Sequence, residues 1–298
     1  MMIRLAERNG LSAPNHVSSL TGLSVRDLRR GVGIDRLASV LQCDEAQIRH
    51  STPLIKNGAI ELRGEKIACA SEVKSSVRRL CPECVNESAH HRFWFDFEFV
   101  STCPYHKRVL AHVCSCGQKL GWTDVNMRKC RQCRGGDVSR IDGMHPRPEV
   151  LELDQWILTR MGVGVARDVP ILDGLSLGRV LDILTQIGIL DLGGYRKHWT
   201  EPRDLNLTVA DVRSRGFRIL RDGALDTVLD RVYSEFLASP EAKAPTMKSA
   251  YGWFGHWFAS LKTEGFPQDI AEIVFANAAR KFYVRRASQS GTATSVAA

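Results

Sequence analysis

Eight candidate metal ligands fall between Cys81 and Cys133, and they constrain the fold of this chain more than any other feature. The block reads "LCPECVNES…VSTCPYHKR…HVCSCGQKL…RKCRQCRGG". Cys81, Cys84, Cys103 and His106 are spaced C-x2-C-x18-C-x2-H, and Cys114, Cys116, Cys130 and Cys133 are spaced C-x-C-x13-C-x2-C. Zinc accepts four tetrahedral S/N ligands, which arrive as close pairs from two turns. A short gap lets both side chains of a pair face one point, and Gly117, Gly135 and Gly136 permit the tight backbone such turns need. Two complete sets of four therefore predict two Zn²⁺ ions. Four protein ligands leave no position open for water, so the reading is structural rather than catalytic. A stretch this short is marginal without a staple, and a structural zinc supplies about 10–16 kcal/mol of binding free energy that is also folding free energy. Sequential pairing is the simpler arrangement. An interleaved one, with the first and third pairs sharing a metal, stays open at this stage. Redox work by a C-x-x-C dithiol would need a thioredoxin-like βαβ setting, which the surrounding sequence lacks.

The thiols also bear on compartment. The first ten residues carry charges and no apolar h-region, and no apolar run reaches the roughly 18 residues of a membrane span. The chain is thus expected in the cytosol, where lasting disulfides are rare; Cys43 and Cys69, outside the two sets, read as small buried hydrophobes. The formal net charge of +8 points to a polyanionic partner. Seven thiolates and two divalent cations would lower it to about +5, so bulk charge alone does not establish nucleic-acid binding.

The expected fold class is mainly α. Residues 1–76 read as an N-terminal domain of short helices, 77–145 as a double zinc-binding module of knuckle or ribbon type, 146–287 as a C-terminal helical domain, and 288–298 as a disordered tail. In the first segment, Leu37, Val40 and Leu41 form an apolar stripe, and Asp44 with Gln47 fits a capping box. Two helices about a tight turn at Gln42–Asp44 resemble a helix-turn-helix, which would point Gln47, Arg49 and His50 at DNA; a helix pair that only packs is the plainer alternative. In the centre, "RFWFDFEFV" alternates Phe93, Phe95, Phe97 and Phe99 with polar residues and Trp94, and predicts a strand with one buried face. In the C-terminal part, Leu225, Val228, Leu229, Val232, Tyr233, Phe236 and Leu237 form a full helical core stripe.

Several motifs fail on context. "GLSLG" matches a nucleophile elbow but lacks the preceding buried strand and an oxyanion loop. No phosphate-binding P-loop and no H-E-x-x-H occur. Two basic clusters carry more weight. "RKCRQCR" sets Arg128, Lys129, Arg131 and Arg134 around the last knuckle, where they either bind phosphate or offset thiolates. "RKFYVRR" sets Arg280, Lys281, Arg285 and Arg286 at a helix C-terminus, where cations also favour the helix dipole.

With "RLAERNGLS" near the start and "CPECVNESAHHRFWFDFEFVSTCPYHKRVLAHVCSCGQKL" followed by C-x-x-C, the chain resembles the TniQ family of transposon proteins over roughly residues 4–135. The resemblance implies a non-enzymatic adaptor for target selection in transposition. Such an adaptor links a target element, either DNA or a guide-RNA effector complex, to an AAA+ ATPase regulator and so to the transposase. It also implies that the eight residues named above are the zinc ligands. A nucleoid-associated location and possible homodimerisation go with this reading. Two features depart from the family pattern: the third pair is C-x-C rather than C-x-x-C, and the segment that usually precedes the "RLA" helix is short. The runner-up is an independent zinc-containing transcriptional regulator that reads DNA through the 34–51 helix pair. An interleaved ubiquitin-ligase-like module fits the pair count but not the spacing.

Overall fold

The structure, a computed structural model, describes residues 6–12, 14–28, 30–67, 77–122, 126–133, 136–165, 167–240, 242, 245–260 and 267–290, with side chains undescribed at 14, 25 and 282–290. The described residues are mainly helical, with one small sheet. They form two compact units: residues 1–167 with 176–179, and residues 168–175 with 180–298. The boundary expected at 145/146 does not coincide with this division, because the helix Pro148–Arg160 belongs to the first unit.

The first unit begins with short helices at Pro14–Thr21, Val25–Leu28, Ile34–Leu41 and Glu45–His50. Val17, Leu23, Leu28 and Leu37 bury against Ala6, with Leu11, Leu41 and Ile48 packed on them. Ile34, Leu37 and Ala38 supply the buried face of the third helix, as spacings of three and four residues require, while Val40 stays half exposed. The turn after it forms with Asp44 as an N-cap that bonds the second helical residue rather than Gln47 of the expected capping box. Gln42 takes the left-handed conformation at φ 52°, and the Asp44 carboxylate accepts the Ala46 N–H at 2.9 Å. Cys43 departs from expectation: it is exposed on this turn. Cys69 lies outside the described residues.

The reading of residues 1–76 as helices alone misses a sheet. Strands β1 (Leu54–Lys56), β2 (Ala59–Leu62) and β3 (Glu65–Ile67) pair antiparallel in that order. Lys56 opposes Ala59 around Asn57–Gly58, and Leu62 opposes Glu65 around Arg63–Gly64. All four loop residues have positive φ, the signature of two-residue hairpin turns whose twist matches the strands. Ile60, Leu62 and Ile67 face the interior.

The helix Pro148–Arg160 is fastened to this unit by Asp154 and Arg160. Its Asp154 accepts the N–H groups of Ser101 and Thr102 at 2.8 and 2.7 Å. Its Arg160 pairs with Glu65 of β3 at 2.8 Å, and the other Glu65 oxygen accepts the Leu177 N–H at 3.0 Å. The second unit contains helices that end at Gly193 or span Val209–Arg221, Leu225–Ala238, Met247–Ala250, Gly252–Ser260 and Gln268–Ser290. Within it, a Cβ at Gly188 or Gly216 would overlap the Val212 or Leu184 carbonyl oxygen, so two helices meet there backbone to backbone. The predicted stripe of Leu225–Ala238 is buried at every position except Leu237. Buried Asn277 ties the last helix down: its amide donates to Asp226 and Asp230 at 2.8 and 2.7 Å and accepts the Tyr251 hydroxyl at 2.6 Å.

Candidate metal centres

Cys81 stands at the N-cap of the helix Pro82–Glu87 and Cys84 in its first turn, with Pro82 setting the helical φ at the first position. The second pair comes from a hairpin turn. Thr102 bridges Val109, the Cys103 N–H donates to the Arg108 carbonyl at 2.8 Å, and the Lys107 N–H returns to the Cys103 carbonyl at 2.9 Å. Lys107 closes the turn at φ 52°. The ligand atoms of Cys81, Cys84, Cys103 and His106 all lie within 4.8 Å of one another. His106 Nδ1 is 3.5, 3.3 and 3.6 Å from the three sulfurs, and Cys84 and Cys103 sulfurs are 3.5 Å apart. A tetrahedron with Zn–S of about 2.3 Å and Zn–N of about 2.0 Å has edges near 3.5–3.8 Å, so these residues fit zinc. His106 Nε2 meets the Glu87 carboxylate at 2.8 Å. That contact fixes the ring with Nδ1 toward the thiols, the outer partner a metal-ligating histidine needs.

The second set also closes on itself. Cys114, Cys116, Cys130 and Cys133 bring their sulfurs within 4.8 Å, with Cys114–Cys133 at 3.7 Å and Cys116–Cys130 at 3.9 Å. The C-x-C departure is accommodated by a tight turn in which the Gly117 N–H donates to the Cys114 carbonyl at 2.8 Å and Gly117 sits at φ 83°. On the other side the Cys130 N–H donates to the Gly136 carbonyl at 3.1 Å, and a Cβ at Gly136 would collide with the Cys133 sulfur. The sets are thus consecutive along the chain, not interleaved.

The thiols have competing claims on protons. Cys103 is drawn down to about 3 by hydrogen bonds from Cys81 and then Cys84, while Cys84 and Cys81 are pushed up, chiefly by their bonds to Cys103. Cys133 is pushed up to about 12 by desolvation and by its bond to Cys114. Thiolates this close cannot all ionise without a cation between them.

The expected strand at 92–100 is not formed. Phe93–Asp96 is a 3-10 helix, because Trp94 and Phe95 are both buried and consecutive residues of a strand point to opposite faces. The alternation holds only from Phe95 through Phe97 to Phe99, with the last two rings stacked at 4.8 Å. The rings form the apolar floor of this region.

The basic residues have divided roles. Arg128 turns inward and donates to the carbonyls of Val85 and Asn86 at 3.2 and 2.7 Å, so the second knuckle holds the helix that carries Cys84. Lys129 and Arg131 are exposed, and Arg134 lies outside the described residues. Arg280 and Lys281 pair with Asp226 and Asp230 at 2.7 and 2.9 Å. Arg285 and Arg286 are on the same helix, their side chains undescribed. Gln47, Arg49 and His50 are exposed on the helix Glu45–His50, where Arg49 pairs with Glu45. Sequence reasoning missed Glu87 and Arg128 as supports of the ligands. Glu87 was visible three residues after Cys84, on the same helical face.

No curated protein matches the chain. Among the described residues, no helix is long and apolar enough to cross a membrane. The TniQ family model matches residues 1–110, a range that takes in the helical N-terminus, the sheet and the whole first ligand set. That match supports a TniQ-family assignment, the family being associated with transposition.

Proposed function

We propose that this protein is a non-enzymatic adaptor in DNA transposition, joining target recognition to an AAA+ ATPase regulator and, through it, to the transposase. The target element is DNA or a guide-RNA effector complex. Two Zn²⁺ ions serve as scaffold, the first held by Cys81, Cys84, Cys103 and His106, the second by Cys114, Cys116, Cys130 and Cys133. The observation that carries the reading is the closure of both sets, the first of them inside the family-matched residues 1–110. Each has four protein donors in mutual reach, and a closed tetrahedral site offers no vacant position for a substrate. When bound, the ions neutralise the thiolates and lock the two knuckles. Glu87 orients His106, Arg128 joins the knuckles, and Asp154 fixes the hairpin that bears Cys103.

The test is reconstitution. The purified full chain is mixed with the AAA+ ATPase of the same transposon, with ATP and duplex DNA, and association is followed by size-exclusion chromatography. A stable complex that forms with the wild-type chain, and is lost in a Cys81→Ser/Cys84→Ser variant, supports the proposal. Tight binding of one short DNA site with no association with the ATPase would replace the adaptor by a regulator.

A further inference from the structure

The tip of the first knuckle carries an aromatic ring that the fold leaves open. Tyr105 sits between the ligands Cys103 and His106 and is 57% exposed, whereas Trp94, Phe95, Phe97 and Phe99 nearby are buried. Its ring leans on Trp94 with centroids 5.9 Å apart. Trp94 is held edge-on by Phe93 at 5.2 Å, and the Arg92 guanidinium lies 6.0 Å over the Trp94 ring. One side of Tyr105 is therefore propped by a buried indole while the other meets solvent. The loop is rigid, being closed by the hydrogen bonds of the turn.

The next exposed side chain along the loop is a cation. Lys107, two residues on, is exposed. Three carboxylates of the same region have partners: Glu83 with Arg108 at 3.1 Å, Glu87 with His106 at 2.8 Å, and Asp96 with His91 at 3.0 Å. An open ring on a hydrogen-bonded turn, with a lysine beside it in the sequence, matches the chemistry of an unpaired base and its phosphate: the base stacks on the ring and the phosphate meets the ammonium.

We propose that the knuckle tip is a stacking platform for one unpaired base of single-stranded nucleic acid, with Tyr105 taking the base and Lys107 the flanking phosphate. The proposal shares with the adaptor reading only the class of partner. It is tested by fluorescence anisotropy of the full zinc-loaded chain with a labelled oligothymidylate and with a duplex of equal length. Tyr105→Ala is expected to weaken single-strand binding roughly tenfold, with duplex binding and zinc content unchanged. Tyr105→Trp should retain binding, and Lys107→Gln should reduce the salt slope by about one. Tyr105→Leu keeps an apolar contact for Trp94 without a stacking face and should behave as the alanine variant. Wild-type affinity in Tyr105→Leu overturns the proposal, as does failure of the wild-type chain to bind the oligonucleotide. Loss of ATPase association with single-strand binding intact in Tyr105→Ala also overturns it, and assigns the ring to a protein contact. If the wild-type chain binds no ATPase yet shows the Tyr105 dependence, the adaptor reading falls and this one stands.

Discussion

Gly136 decides whether the second cluster can close. Its absent side chain leaves the space that the Cys133 sulfur occupies. Gly136→Ala is expected to abolish the second site alone, and metal analysis of the purified variant should find about one zinc per chain in place of two. Retention of both ions would show that the turn has another way to close. Asp154 makes a different kind of prediction. Burial pushes its carboxyl up to about 7, against the N–H groups of Ser101 and Thr102 and the nearby Arg79, which favour the charged form. The folded state thus holds this proton more tightly than the unfolded chain, where the pKa is about 3.9. Between these values the folded protein binds more protons, so this group makes stability fall as pH rises from about 4 to about 7. Asp154→Asn keeps an acceptor for the two N–H groups and removes the titration. In urea unfolding across that range, the variant is expected to lose less stability with rising pH than the wild-type chain. Equal slopes would show that Asp154 titrates normally.

At the scale of elements, the helix Pro82–Glu87 carries more function than its six residues suggest. It presents Cys84, positions Cys81 at its cap, backs His106 through Glu87, and receives Arg128 at its end. The two ligand pairs it serves were legible in the sequence because spacing alone encodes a knuckle. The hairpins of β1–β3 carry a turn signal in Asn57–Gly58 and Arg63–Gly64, but their strands of three or four residues are too short to show a period of two. The 92–100 stretch was misread for a tertiary reason: Trp94 buries beside Tyr105 and Phe93, which a period-two pattern cannot anticipate. That Arg128, Arg280 and Lys281 have protein partners was not legible, because those partners lie about 42 to 54 residues away, beyond any local pattern. In the second unit, Gly216→Ala would drive a methyl into the Leu184 carbonyl and force the two helices apart. A loss of about 1–3 kcal/mol is expected, read from the midpoint of thermal or urea unfolding. A neutral result would mean that the backbones shift apart freely.

For the whole molecule, the two compact units differ in what holds them. The first contains both ligand clusters, while the second has its own apolar core around Leu184, Phe217, Leu229, Phe236 and Phe254. Removing zinc with a strong chelator is therefore expected to expose residues 77–145 to amide exchange while protection persists across Val209–Ala238. Hydrogen-exchange mass spectrometry separates the two, and simultaneous loss in both would show that the second unit depends on the metal. The consecutive order of the ligand sets has a bearing on biosynthesis as well. Each cation can be captured by one short contiguous length of chain, so the first knuckle can close before the second has emerged, and the loops to be drawn shut stay small. An interleaved arrangement would keep early thiols waiting for distant mates and exposed to mispairing; this order gives every thiol its partners almost as soon as it emerges.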